Sequence, residues 1–210
     1  MDISVHTDPF DFIVIENVCD NLELSDIINE VKFFKKFATK DTFIISYDDG
    51  VELDFVRNSG TAIGSNQERV SKKTSILIEQ VLNNHKQLLN QLSLGKMFNH
   101  VVDKLPNLNL FTQLVKHKFF IGYDVLINYY SNKDYYGSHI DTTTATCIFY
   151  INPQGKCFKG GELYFPSFNY SFECKHNSMI IFPGFVTHEV KQIITELENH
   201  VRISITYFLE

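Results

Sequence analysis

The sequence predicts a chain of the α+β class that is mainly β, with N-terminal helices packed against a β-sandwich or β-barrel. Beyond about residue 108, short runs rich in β-branched and aromatic residues alternate with turn residues, which is typical of an all-β core. Before that point, apolar residues recur at spacings of three and four, which indicates amphipathic helices. A chain of 210 residues is long enough for one substantial core, so we expect a single domain over residues 1–210.

The N-terminal part, about residues 1–107, is predicted to support the β core. A strand is expected from Pro9 to Val18, and residues 22–37 have the spacing of an amphipathic helix. Residues 41–56 are typical of a hairpin that turns at Asp48-Asp49-Gly50.

A long helix is predicted over residues 66–94, after a flexible loop at Gly60–Gly64. Its apolar stripe consists of Ile76, Leu77, Val81, Leu82, Leu88 and Leu89. A shorter helix is expected to end at Leu105-Pro106, because proline cannot continue a helix.

The C-terminal part, about residues 108–210, is predicted to form the β core. Its strand-like runs are YDVLINYY, TATCIFYIN, ELYFP, YSFECK, SMIIFP, HEVKQI and RISITYFLE. Turn residues separate them, including Gly160-Gly161 and Pro183-Gly184. Such evenly spaced short strands are typical of a sandwich or barrel.

Composition and charge exclude several classes of protein. The formal net charge of −6 gives no basis for bulk nucleic-acid binding. The four cysteines lack CxxC spacing, so neither a zinc knuckle nor a redox motif is indicated. The first ten residues do not resemble a signal peptide, and no stretch approaches the roughly 18 apolar residues of a membrane span. We therefore expect a cytoplasmic protein that does not contact a membrane.

The stretch YYGSHID places His139 and Asp141 two positions apart, just before an apolar strand. On extended backbone these side chains point to the same side, and burying both costs on the order of several kcal/mol without a partner. A metal ion is one such partner. Candidate third ligands are His176, His188 and His200, and His188 is preferred because it begins an alternating strand after a Pro-Gly turn. Two imidazoles and one carboxylate can hold one face of an Fe(II) ion.

Arg202 is the second residue of interest, because it begins the final apolar strand. An arginine in such a strand is costly to bury unless its guanidinium meets an anion, and a carboxylate suits its paired donors. Alternation predicts that Arg202, Ser204 and Thr206 share the inward side while the intervening isoleucines face the other way. The alternative is an arginine that points outward or pairs with an acidic residue such as Glu196.

Taken together, these segments resemble the Fe(II)/2-oxoglutarate-dependent dioxygenases, specifically the prolyl-4-hydroxylase-like branch. The similarity extends from about Tyr123 to Leu209 and rests on INYYSNKDYYGSHID, TCIFYIN, GGELYFP, MIIFPGFVTHEV and RISITYFL. It implies a double-stranded β-helix, or jelly roll, in which three side chains bind Fe(II) and Arg202 binds the C5 carboxylate of 2-oxoglutarate. The implied iron ligands are His139, Asp141 and His188.

The resemblance also implies supporting roles for four further residues. Tyr129 and Tyr150 are expected near the cosubstrate, and Thr206 is expected as a hydroxyl neighbour of Arg202. Tyr136 is a candidate for contact with the substrate. The pair Gly160-Gly161 matches a glycine turn that lies beside the site in that family.

The implied reaction consumes O2 and 2-oxoglutarate, hydroxylates a C–H bond and releases succinate and CO2, with ascorbate as a candidate reductant. A peptidyl proline is the favoured substrate, and a free amino acid or another small molecule is the alternative. A noncatalytic metal-binding jelly-roll module and a zinc hydrolase remain open as different classes of function. Two segments, Gly60–Gly64 and Ser131–Ser138, are predicted to close over the site.

Overall fold

The computed structural model describes residues 1–44, 70–82, 86–119 and 122–209. Within these ranges the chain forms four α-helices and twelve strands. The helices are α1 (Asn21–Phe34), α2 (Ile78–Val81), α3 (Ser93–Lys104) and α4 (Leu110–Phe119). The described helices include none that is both long and apolar enough to cross a membrane.

The strands pair antiparallel in one continuous sheet. They are β1 (Asp2–His6), β2 (Phe12–Glu16), β3 (Thr39–Ile44), β4 (Val70–Leu77), β5 (Tyr123–Tyr130), β6 (Tyr135–His139), β7 (Ala145–Ile151), β8 (Leu163–Phe165), β9 (Tyr170–Phe172), β10 (Ser178–Pro183), β11 (His188–Val190) and β12 (Arg202–Leu209). Their order is β1-β2-β10-β7-β12-β5-β4-β6-β11-β8-β9, and β3 pairs with β4.

The sheet folds over at β4 into a larger and a smaller half. Residues 74–77 of β4 pair with β5, whereas residues 71–72 pair with β6. Side chains from both halves line one cavity, so the halves face each other. This arrangement is the jelly roll that the sequence predicted, and the predicted fold class is confirmed.

The helices pack on the outer face of the larger half, as predicted. The shared core contains Ile27 and Val31 of α1, Phe98 and Val101 of α3, and Phe149, Ile205 and Tyr207 of the sheet. Helix α1 begins with a capping box, in which the Asp20 side chain accepts from the Glu23 backbone and the Glu23 side chain accepts from the Asp20 backbone. Its buried residues recur every three or four positions, so one face meets the sheet.

A second core fills the space between the two halves of the sheet. Its members include Tyr130, Ile148, Tyr150, Leu163, Phe182 and Val190. Strand β12 serves both cores by alternation: Ile203 and Ile205 face the helices, while Arg202, Ser204 and Thr206 face the cavity. The predicted alternation of this strand is therefore confirmed.

The predicted long helix over residues 66–94 is wrong. In the described part of that segment, residues 70–77 form β4, Ile78–Val81 is a short α-helix, Lys86–Gln91 is a 3₁₀-helix, and α3 begins only at Ser93. Valine, threonine and serine are weak helix formers, and pairing with β5 and β6 gives the backbone of β4 its hydrogen bonds. Pairing with β5 and β6 thus determined the structure of residues 70–77, although the apolar residues have the spacing of a helix.

Other local predictions have mixed outcomes. The helix over residues 22–37 and the end of a helix at Leu105 are confirmed, but α4 was missed because the region after residue 108 was expected to be β. The second half of the predicted loop Ser131–Ser138 belongs to strand β6. The turn at Asp48-Asp49-Gly50 and the loop Gly60–Gly64 lie outside the described residues.

Tyr129 links the sheet to α1. Its buried hydroxyl donates to the carbonyl of Val31 at 2.7 Å, and that carbonyl also accepts the backbone N–H of Lys35 at the end of the helix. The bond therefore joins a central strand to the last turn of α1.

We expect Tyr129→Phe to destabilise the protein by about 0.5–1.5 kcal/mol, the usual net contribution of one internal hydrogen bond. Urea unfolding measures this change. Tyr164→Phe is the matched control, because its hydroxyl bonds to Asn169 at an exposed position and its loss should change stability little. Equal stabilities of the two variants would contradict a structural role for the Tyr129 hydroxyl.

Candidate metal centre and cavity

His139, Asp141 and His188 converge at one end of the cavity, each with only 3% of its surface exposed. His139 ends β6 and His188 begins β11, and the two residues are direct partners in the antiparallel ladder. Their rings lie 4.2 Å apart between centroids. Pairing of these two short strands is therefore what brings the imidazoles together.

The ligand atoms of the three side chains all lie within 4.8 Å of one another. Asp141 Oδ1 is 3.5 Å from His139 Nε2, and Asp141 Oδ2 is 3.5 Å from His188 Nε2. Each Nδ1 lies 2.8 Å from a backbone carbonyl, that of Gly137 or Val186. A carbonyl only accepts, so each Nδ1 carries a proton and each Nε2 presents its lone pair to the common centre. This geometry suits a metal ion.

Asp141 is held by one contact to its carboxylate and one to its backbone, and sequence reasoning had identified neither. The buried hydroxyl of Thr146 donates to Asp141 Oδ2 at 2.6 Å. The backbone N–H of Asp141 donates to the carbonyl of Gly184 at 2.8 Å, which ties the turn before His188 to the loop after His139. A Cβ at Gly184 would lie 2.4 Å from the Thr143 carbonyl, so this close approach requires glycine.

The other two candidate histidines lie elsewhere. His176 Nδ1 accepts the backbone N–H of Asn152, and His200 Nδ1 is 2.8 Å from the Ser131 hydroxyl. Burial, aided by Lys35, lowers the pKa of His200 to about 4, so this ring is neutral at pH 7. Among the described residues, no other group of three such side chains converges as the first one does.

The cavity extends from these three side chains towards Arg202. Its further polar lining consists of Asn128, Tyr130, Tyr136, Thr146, Ser204 and Thr206. Its apolar lining consists of Leu126, Ile148, Leu163, Val190 and Phe208. A mostly apolar space with a few converging polar groups is the usual form of a small-molecule site.

Arg202 has no exposed surface, yet two of its nitrogens lack partners. Its guanidinium lies 4.6 Å from the ring centre of Tyr130 and 5.0 Å from that of Tyr150, and Nη2 donates to Cys174 Sγ at 3.4 Å. Nε and Nη1 of Arg202 and the hydroxyl of Tyr150 are buried without a hydrogen-bond partner among the described residues. Unpaired buried donors are costly, so this arrangement suits an anion, which could accept from them.

The residues around Arg202 include two neutral phenols, and a glycine beside its side chain leaves room for the guanidinium. Burial raises the pKa of Tyr130 and of Tyr150, so both phenols keep their protons and remain donors. A Cβ at Gly161 would lie 3.3 Å from Arg202 Cδ, and the φ of this residue is +74°. Glycine at this position thus permits the turn beside the arginine, as the sequence indicated.

The structure corrects one of the residues predicted near the cosubstrate. Tyr129 faces α1 on the outer side of the sheet and does not line the cavity, whereas its neighbour Tyr130 does. Tyr130 pairs with Arg202 in the β5–β12 ladder, and successive residues of a strand face opposite ways. Tyr150 contacts the guanidinium, and Thr206 lines the cavity.

Tyr136 also lines the cavity, at the metal-centre end. Its ring stacks on that of His139, with centroids 3.9 Å apart.

The residues that sequence reasoning missed are Asn128, Tyr130, Thr146 and Cys174. Of these residues, Tyr130 alone could have been inferred from the sequence, because its side chain lies on the same side of β5 as those of Asn128 and Leu126. Which side of β5 faces the cavity is decided by pairing with the partner strand β12.

Comparison with known proteins agrees with this site. The profile of the 2OG-Fe(II) oxygenase superfamily matches residues 125–210, which contain all three converging ligands and Arg202. No curated protein sequence matches the chain.

Two solved structures share the fold. A prolyl hydroxylase from Trichoplax adhaerens, in complex with a hypoxia inducible factor oxygen degradation domain peptide fragment, has a TM-score of 0.55 and 16% identity, with 94% of this chain and 83% of that chain covered. A 2OG-Fe(II) oxygenase family oxidoreductase from Burkholderia pseudomallei has a TM-score of 0.50 and 14% identity, with coverages of 94% and 84%. The resemblance seen in the sequence is thereby confirmed: over residues 125–210 the chain matches the 2OG-Fe(II) oxygenase superfamily, which uses Fe(II), 2-oxoglutarate and O2.

Proposed function

We propose that this chain is an Fe(II)- and 2-oxoglutarate-dependent oxygenase that hydroxylates a C–H bond of its substrate. His139, Asp141 and His188 are its iron ligands, and Arg202 binds the C5 carboxylate of 2-oxoglutarate. The observation that carries the proposal is the presence, in one cavity, of three converging ligand side chains and a buried guanidinium with unpartnered donors.

The three ligand side chains fit Fe(II) by their chemistry. Two neutral imidazoles and one carboxylate form the facial set found in non-haem iron oxygenases, which leaves coordination positions open. Bound Fe(II) supplies the redox chemistry with O2 and 2-oxoglutarate that amino-acid side chains lack. The Nδ1–H bonds to Gly137 and Val186 orient the imidazoles, and the Thr146 hydroxyl orients the carboxylate.

The other end of the cavity fits one carboxylate of a dicarboxylate. Nε and Nη1 of Arg202 offer two donors, and the neutral Tyr150 hydroxyl offers a third. The apolar walls between this end and the metal centre exclude water around the methylene groups of such a ligand. A noncatalytic metal-binding module or a zinc hydrolase has no need for this second anion site.

For the substrate, we infer a peptidyl proline, with a free amino acid or other small molecule as the second candidate. Support comes from the prolyl-4-hydroxylase-like motifs of the sequence and from the fold shared with the Trichoplax prolyl hydroxylase. The test is succinate formation by Fe(II)-loaded protein with 2-oxoglutarate and O2, measured over a library of proline-containing peptides and free amino acids. Hydroxyproline in the products identifies proline as the target, whereas turnover only with other compounds contradicts it.

Asp141→Ala should abolish stimulated succinate formation and weaken Fe(II) binding, because one of three ligands is lost. His188→Ala should do the same. Anaerobic Fe(II) titration measures the binding, and thermal unfolding checks that each variant remains folded. Asp103→Ala, which removes an exposed carboxylate from α3, is the control. Iron binding that is undiminished in both ligand variants would exclude this assignment.

Arg202→Lys should weaken 2-oxoglutarate binding by roughly ten- to a hundredfold while leaving iron affinity nearly unchanged. Lysine keeps the charge but loses the planar pair of donors, and a charged hydrogen bond contributes about 1.5–3 kcal/mol. Anaerobic titration of 2-oxoglutarate into the Fe(II)-loaded protein measures the effect. If wild type and variant bind 2-oxoglutarate equally, Arg202 does not contact the cosubstrate.

Thr146→Val should weaken Fe(II) binding by roughly tenfold, because the Asp141 carboxylate loses the hydroxyl that orients it. Valine has nearly the shape of threonine, so the packing is kept. Thr112→Val on α4, away from the cavity lining, removes a buried hydroxyl as a control. The same iron affinity in both variants would show that Asp141 does not need the Thr146 contact.

A further inference from the structure

Cys174 contacts the guanidinium that the proposed function assigns to the cosubstrate. It follows β9, and its side chain is buried. Nη2 of Arg202 donates to Cys174 Sγ at 3.4 Å, whereas Nε and Nη1 have no hydrogen-bond partner among the described residues. The sulfur therefore engages one nitrogen of the guanidinium, and the proposed function gives this contact no role.

Two carbonyl groups beside the sulfur indicate that Cys174 is a neutral thiol. Its Sγ lies 3.5 Å from the carbonyl oxygen of Gly161 and 3.8 Å from that of Phe172. A carbonyl only accepts, so the sulfur carries a proton that it donates to one of these oxygens. The thiol thus accepts from Arg202 without supplying a negative charge.

The position of the thiol is set by contacts that do not involve Arg202. The side chain of Asn152 donates from Nδ2 to the carbonyl of Cys174 at 3.1 Å, and the backbone N–H of Asn152 donates to His176 Nδ1 at 3.1 Å. Asn152 directly follows β7, which pairs with residues 203–209 of β12. The segment that carries the sulfur is therefore tied to a neighbour of the strand that carries the guanidinium.

The aromatic neighbours of Arg202 cannot replace this contact. The rings of Tyr130 and Tyr150 lie 4.6 Å and 5.0 Å from the guanidinium carbon, and a ring face attracts a cation without selecting one N–H group. The sulfur is a directional acceptor, so it decides which nitrogen faces Gly161 and which nitrogens stay available. An acidic side chain in its place would also orient the guanidinium, but it would neutralise the charge that attracts a ligand.

We infer that Cys174 is a positioning residue for Arg202. Its neutral thiol holds Nη2 and leaves the other donors and the positive charge of the guanidinium to a carboxylate of 2-oxoglutarate. This inference rests on the proposed function and adds to it the residue that orients the cosubstrate arginine. Cys174 acts through Arg202 and makes no contact with the cosubstrate itself.

Nuclear magnetic resonance of the ligand-free protein tests the contact directly. The chain contains three arginines, so ¹⁵N labelling of arginine alone gives few signals, and Arg202→Lys identifies those of Arg202. In wild type we expect separate signals for Nη1 and Nη2, because the sulfur restricts rotation about the Nε–Cζ bond. In Cys174→Val the two signals should merge. In Cys174→Ser they should stay separate, because a hydroxyl also accepts from Nη2 and donates to a carbonyl.

Anaerobic titration of 2-oxoglutarate into Fe(II)-loaded protein tests the consequence for the cosubstrate. Cys174→Val should weaken binding by roughly two- to tenfold, the equivalent of one neutral hydrogen bond, and Cys174→Ser should recover part of the loss. Cys174→Asp should weaken binding more than Cys174→Val does, because its carboxylate pairs with Arg202 in place of the cosubstrate. Iron affinity should stay within about twofold of wild type in all three variants.

Cys147→Val is the matched control. It makes the same change at a buried thiol of β7 that faces the core beneath the helices, so it should alter neither the Arg202 signals nor 2-oxoglutarate binding. Thermal unfolding checks that each variant is folded.

Three results would overturn the inference. Wild type gives a single averaged Nη signal for Arg202, which needs no variant to be folded. Alternatively, Cys174→Val keeps the separate signals of wild type, or Cys174→Asp binds 2-oxoglutarate as tightly as wild type. Failure of wild type to bind Fe(II) and 2-oxoglutarate refutes the proposed function together with the cosubstrate role, and the resonance signals of the ligand-free protein report the contact separately.

Discussion

The burial of the Arg202 guanidinium is the constraint around which the cavity is organised. A charge without access to solvent is stable only where fixed partners replace water. The guanidinium contacts Tyr130, Tyr150 and Cys174, but its Nε and Nη1 have no hydrogen-bond partner among the described residues. Strand β12 pairs along its length with both β5 and β7, so its backbone cannot shift without breaking two ladders. The unsatisfied donors therefore stay where they are, in the position that the proposed carboxylate site requires.

The two ends of the cavity belong to different halves of the folded sheet. Arg202 stands on β12 in the larger half, whereas His139 and His188 stand on β6 and β11 in the smaller half. A ligand that reaches from the guanidinium to the metal centre therefore contacts both halves. The close approach of Gly184 to Thr143 and the bond from Asp141 N–H to the Gly184 carbonyl hold the two ligand-bearing loops together. Backbone contacts thus arrange the site before any ligand enters.

What the sequence could predict depended on local periodicity. The alternation of β12 correctly placed Arg202, Ser204 and Thr206 on one side, because side chains of a strand have a fixed period of two. The two-residue repeat of a strand does not by itself show whether its odd-numbered or its even-numbered residues face the interior. On β5 the choice between Tyr129 and Tyr130 was set by pairing with β12 and by packing against α1, and neither is visible in the run INYY. Thr146 lies on β7 and shares the parity of Ile148, but the sequence does not show which side of β7 faces inward. Cys174 follows β9, in a segment that has no strand period.

Strand β4 shows the consequence of assigning a helical repeat to residues that form a strand. Apolar spacing over residues 66–94 predicted a helix, whereas residues 70–77 form strand β4. As a strand, the same residues complete the ladder between β5 and β6, which a helix cannot do.

The match to the superfamily begins at residue 125, so β4 lies outside it. The matched segment holds the three converging side chains His139, Asp141 and His188 together with Arg202. The unmatched strand pairs with β5 through residues 74–77 and with β6 through residues 71–72. Within the described residues, β4 joins the two halves because it pairs with β5 and with β6, and the three converging side chains and Arg202 then line one cavity.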